Sequence, residues 1–155
     1  MIVQNYLTFE GRCEEAIEFY KKAVGAEVLM LMRFKDGPKD MQCSPGSENK
    51  VMHVCMRIGE SQVMASDGRN RGNPKFEGFS LSLQVDTEAD ANKRFTALTE
   101  GGGEVTMPLS KTFFAKSFGM VKDRFGVHWM VIVPAEQTQS AQTKEKVGAK
   151  EKARA

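Results

Sequence analysis

The chain has 155 residues, 41% of them hydrophobic and 27% charged, with a formal net charge of +2. That is the size of one ordinary domain, large enough to bury a core without disulfides or a structural metal. A nearly neutral chain gives no basic stripe for nucleic acid, and no apolar run approaches the ~20 residues that cross a bilayer.

Residues 2–9, "IVQNYLTF", read as a strand. Residues 12–24 read as a helix: Cys13, Ala16, Ile17, Tyr20 and Val24 recur at helical spacing and form one apolar stripe. "GAEVLMLMRF" is a turn into a β-rich run, and a polar loop follows at 35–50. "VMHVCMRIG" and "SQVMASD" are two more strands around a Gly59-Glu60 turn. The same order then repeats. "GFSLSLQVD" (78–86) alternates, with Phe79, Leu81, Leu83 and Val85 on one face and Ser80, Ser82 and Gln84 on the other. Residues 87–100 are helical, with Thr87 as N-cap and Asp90 three residues on. "GGGEVTM", "TFFAKSFGMVKD" and "VHWMVIV" supply the last three strands. The order β-α-β-β-β therefore occurs twice, offset by roughly 76 residues, which reads as an internal duplication. The expectation is an α+β domain over 1–133, with modules at about 1–67 and 78–133. The polar tail, 134–155, holds five Lys/Arg and three Glu and reads as solvated or weakly helical.

Three cysteines, Cys13, Cys43 and Cys55, form no C-x-x-C pair. That argues for a reducing compartment. "MIVQNYLTFEGR" lacks the features of a signal peptide, so the expected location is cytoplasmic.

Chemistry-bearing residues are few. His53 is either a core or rim histidine or a candidate for catalysis. His128 shares its strand face with Met130 and Ile132, opposite Trp129, and is either a partly exposed strand residue or a base near neutral pH. Asp67 reads as a turn acid or a substrate contact. Ser80 lies on a wet or pocket-lining face. Lys111 is a surface lysine or an anion contact. Phe114, Trp129 and Met130 suit core, or the wall of an adaptable pocket for a flat hydrophobic molecule. The loops 35–50 and 67–77 are candidate lids. The Gly101–Gly103 cluster follows a helix and precedes a strand. That is the reverse of the Gly-rich turn used by nucleotide and S-adenosylmethionine sites.

The ordered set "YLTFEGRCEEAIEFYKKAVGAEV", "MHVCMRIG", "VMASD", "GFSLSLQVD" and "TFFAKSFGMVKDRFGVHWM" resembles the PhnB-like branch of the vicinal-oxygen-chelate superfamily of glyoxalases, bleomycin resistance proteins and dioxygenases. Members of this branch have also carried the label demethylubiquinone methyltransferase-like. The resemblance implies paired βαβββ modules forming a curved mixed-sheet cup, a homodimer, and a small-molecule ligand. It ranks His53 first among the polar candidates. Metal-using relatives hold a divalent Lewis acid with His, Gln or Glu on the first and last strands of each module. The aligned positions here are Asn5, Ala65 or Ser66, Ser80 and Met130, and a thioether cannot hold a hard cation. The resemblance therefore implies a cup whose metal ligands are lost, with no cofactor expected. An enzyme using a divalent metal held by His53 or His128, and a purely structural dimeric scaffold, stay open as alternatives.

Overall fold

The apolar stripe of the first predicted helix sets the first half of the molecule. A computed structural model describes residues 1–38, 45–68, 72 and 74–135. Of the candidate lid loops 35–50 and 67–77, residues 39–44, 69–71 and 73 lie outside the described residues, as do Cys43 and the tail beyond Ala135. The described chain forms two compact units, Met1–Phe76 and a second beginning at Glu77.

The first unit runs β1 (Asn5–Thr8), α1 (Cys13–Val24), β2 (Glu27–Arg33), a short 3-10 turn (Phe34–Asp36), β3 (Val51–Ile58) and β4 (Ser61–Ser66). The second runs β5 (Leu81–Gln84), α2 (Glu88–Thr99), β6 (Glu104–Ser110), β7 (Ala115–Lys122) and β8 (His128–Pro134). The two sheets have matching orders, β1-β4-β3-β2 and β5-β8-β7-β6. In each the first strand pairs in parallel with the last, and the remaining pairs are antiparallel. The α+β class and the duplicated βαβββ order are as the sequence predicts. The predicted strands 2–9 and 78–86 shorten to the four residues that pair with β4 and β8.

Helix α1 buries Cys13, Ala16, Ile17, Tyr20, Ala23 and Val24, the predicted stripe plus one alanine. The core of this unit also holds Leu7, Phe9, Val54, Met56, Val63 and Ala65, all under 8% exposed. Gly25 ends the helix in the left-handed region at φ 70°, where a side chain would be strained. Helix α2 is capped as predicted, with Thr87 Oγ1 accepting from the Asp90 amide at 3.1 Å. It lies on β7 and β8 and buries Ala91, Phe95 and Leu98.

One predicted face is corrected. Simple alternation puts Val51 on the face of His53, Cys55 and Arg57. Pairing slips between Met32↔His53 and Arg33↔Val51, a β-bulge at Met52. Beyond it Val51 turns to the helix side and is fully buried.

Candidate functional site

Each sheet has a helix-packed face and an open face. In the second unit Leu81, Val121, Trp129, Val131 and Val133 fill the helix side. Alternation puts His128, Met130 and Ile132 of β8, and Phe118, Met120 and Lys122 of β7, on the open side, all half-buried. Register arranges these as transverse rows. One row is Ser82, Met130, Met120 and Met107; beside it runs Gln84, Ile132 and Phe118. On the other flank His128 pairs with Lys122, and Lys122 with Glu104. The floor is apolar and its borders are polar.

At the β5 end, Gly78, Phe79, Ser80, His128 and Met130 line an open hollow of about 330 Å³. Three sequence-predicted site residues, Ser80, His128 and Met130, thus meet in one place. Phe114 extends the same surface: its ring contacts Phe118 edge-on at 5.3 Å between centroids, and Phe113 at 5.1 Å. Lys111 is exposed in the β6–β7 connection. The sequence reading missed Phe79, which it placed on the core face. The strand starts only at Leu81, so alternation does not govern Phe79. Met120 and Lys122 join the same face, and period-two alternation from Phe118 selects both.

Trp129 and Met130 stand on opposite faces of β8, as alternation expects, so Trp129 is no part of the pocket wall suggested for it. Trp129 is 2% exposed, and its indole Nε1 donates to Asp123 Oδ2 at 2.9 Å. Asp123 Oδ1 accepts from the Phe125 and Val127 amides at 2.9 and 3.0 Å. This buried carboxylate therefore holds the β7–β8 turn and the tryptophan together. Asp67 does similar work in the first unit. It is 2% exposed; Oδ1 accepts from the Cys13 amide at 2.6 Å and Oδ2 from the Val51 amide at 2.7 Å. Arg12 provides no side-chain cap for α1, so Asp67 supplies the acceptor and the negative charge at that helix start. Both oxygens of Asp67 are thus engaged by the fold.

His53 stands on the open face of the first sheet. Its Nδ1 lies 3.1 Å from the Tyr6 hydroxyl, and the two rings stack at 5.7 Å between centroids. Both belong to the first unit, while His128 belongs to the second.

Among the described residues no three His, Cys, Asp or Glu groups converge to hold a metal ion. The positions aligned with family ligands fit a divalent cation poorly on donor chemistry. Asn5 pairs with Val63 and Leu7 with Ala65, so Asn5 belongs to the helix-side parity and Tyr6 and Thr8 to the open side. Ala65 has no donor and is buried; Ser66, Ser80 and Met130 offer neutral hydroxyls and a thioether. Lys122 beside Glu104 holds that carboxyl below its usual range. Burial pushes the Cys13 thiol well up from its ordinary 9.0, with Asp67 adding to the effect.

Residues 2–132 match the model of the family described as 3-demethylubiquinone-9 3-methyltransferase. The chain belongs to that family. It is 34% identical over 145 residues to protein YjdN of Escherichia coli K12, spanning 88% of this chain and 98% of that one. Protein PA1353 of Pseudomonas aeruginosa superposes with a TM-score of 0.76 at 39% identity, over 86% of this chain and 98% of that one. A protein of Bacillus cereus described as a putative 3-demethylubiquinone-9 3-methyltransferase, PhnB protein, gives 0.71 at 28% identity, over 86% and 99%. A glyoxylase/bleomycin resistance protein/dioxygenase domain from Frankia shares the fold, with a TM-score of 0.58 at 15% identity over 87% and 98% of the two chains. The PhnB-like, glyoxalase-fold assignment expected from the sequence therefore holds. No helix among the described residues is long and apolar enough to cross a membrane.

Proposed function

We propose that this PhnB-like protein binds a small, flat hydrophobic molecule on the open face of its second sheet. The observation that carries the reading is the meeting of Phe79, Ser80, His128 and Met130 around one hollow, continuous with the row of Met120 and Met107. Methionine side chains adapt to irregular apolar ligands. His128 and Ser80 supply the few polar contacts that orient a ligand in such a site. Phe114, on Phe118, borders the floor, and Lys111 lies in the same connection to meet an acidic group on the ligand.

The family's methyltransferase description does not carry over to a methyl-donor site. The two strand-to-helix connections among the described residues, 9–12 and 85–87, hold only Gly11 between them. Gly101–Gly103 lies between α2 and β6. Neither arrangement is a Gly-rich turn delivering a nucleotide to a helix start. The donor set at the aligned metal positions likewise favours binding without a divalent Lewis acid.

A homodimer in a reducing compartment completes the reading. The edge strands expose Leu29 and Met30 on β2 and Val105 and Met107 on β6, and the described cysteines are free thiols. Exposed apolar edges favour association. The test is a thermal-shift screen of flat apolar compounds on the full chain and on Met130→Glu. Compounds that raise Tm in the parent and not in the variant support the reading. Equal shifts in both refute it.

A further inference from the structure

The chain has ten methionines. Met41 lies outside the described residues, and of the remaining nine only Met56 is buried. Methionine ordinarily fills gaps in cores, so its placement here asks for another reason. In the first unit Met30 pairs with Cys55 across β2 and β3, and Cys55 with Met64 across β3 and β4. Directly paired residues share a face, with Cβ atoms ~4.5–5.5 Å apart. Val54, Met56, Val63 and Ala65 take the helix side, so all three sulfurs stand on the open side. Met30 is 46% exposed, while Cys55 and Met64 are half-buried. Cys55 is a free thiol, its Sγ 3.8 Å from Gln62 Oε1. Three adjacent strands therefore present thioether, thiol and thioether in one transverse row.

We infer that Met30, Cys55 and Met64 form a binding site for a soft monovalent cation, Cu(I) or its analogue Ag(I). Thiolate and thioether sulfurs are the ligands that select such ions, whereas hard divalent cations require oxygen. The rotatable bonds of Met30 and Met64 let both outer sulfurs lean over the central strand, where Cys55 supplies the charge. On binding, the Cys55 thiol gives its proton to solvent as the metal–sulfur bond forms. The metal enters and leaves as the monovalent ion, so no electron is transferred. The corresponding row of the second unit, Met107, Met120 and Met130, has three thioethers and no thiol. It lacks the anionic ligand and serves as an internal control. The site lies in the first unit and is independent of the binding face proposed above.

The test uses the full chain carrying Cys43→Ala, titrated anaerobically with Cu(I) against a chromophoric chelator, with Zn(II) in parallel. The expected result is one Cu(I) per chain with a sulfur-only shell by X-ray absorption, and no retained Zn(II). Cys55→Ser should lower affinity at least tenfold, and so should the near-isosteric pair Met30→Leu/Met64→Leu. Met107→Leu/Met120→Leu should not change it. Circular dichroism establishes that each variant is folded. Absence of Cu(I) uptake would overturn the proposal. So would uptake unchanged in Cys55→Ser, or uptake lost in Cys55→Ser but unchanged in Met30→Leu/Met64→Leu, since the last describes a lone thiol.

Discussion

Two buried aspartates show how single residues separate structure from function in this chain. Asp123 takes three hydrogen bonds, from two turn amides and the Trp129 indole. Asp123→Ala leaves those donors buried without an acceptor and should cost about 3 kcal/mol in urea unfolding, with Trp129 emission shifted to the red. Because Trp129 lies behind the sheet, its emission should stay constant when a ligand occupies the open face. The cysteines differ by burial. Mass-mapped labelling should modify Cys55 and leave Cys13 untouched until the protein is unfolded, since the Cys13 thiol is buried and its ionisation suppressed. The sign follows. The raised folded value contributes stability that is complete below the ordinary thiol value and is lost as pH rises above it. Glu104 behaves oppositely: Lys122 depresses its value, so its small contribution is present at neutral pH and lost as pH falls through the folded value. Replacing Glu104 by Gln should flatten the acid limb of the stability profile slightly.

At the scale of elements, close approach fixes α2 on its sheet. A Cβ at Gly119 of β7 would stand 2.7 Å from Phe95 Cε2 and 3.0 Å from the Leu109 amide nitrogen. Gly119→Ala should therefore destabilise by roughly 1–3 kcal/mol in denaturant unfolding, through overpacking between helix and sheet. Most elements were legible because their signals are periodic: the α1 stripe, the Thr87 cap and the alternation of β8 all read correctly. The misreadings have local physical causes. The bulge at Met52 reverses Val51 relative to His53, and bulges arise from pairing with β2, which no single-strand pattern reveals. Alternation separates Trp129 from Met130, but aromatic composition alone does not tell a pocket wall from core, and Trp129 is core. Asp67 looked like a loop acid because its partners, Cys13 and Val51, lie 54 and 16 residues away.

At the scale of the whole molecule the duplication organises everything. Two sheets of matching order each offer one packed and one open face, and the open faces diverge in chemistry. The first carries Tyr6, His53 and the Met30–Cys55–Met64 row; the second carries the hollow and its methionine floor. Light scattering should give twice the 17.2 kDa chain mass. Val105→Lys on the exposed edge strand β6 should shift that mass toward the monomer. A parent that is monomeric at every concentration would count against the dimer. The binding face is tested most directly by NMR of the protein labelled at methionine methyl carbons, titrated with an anilinonaphthalene sulfonate probe. Met130 and Met120 resonances should move while that of buried Met56 stays fixed. A titration in which Met130 and Met120 do not move while other methionines do would contradict it.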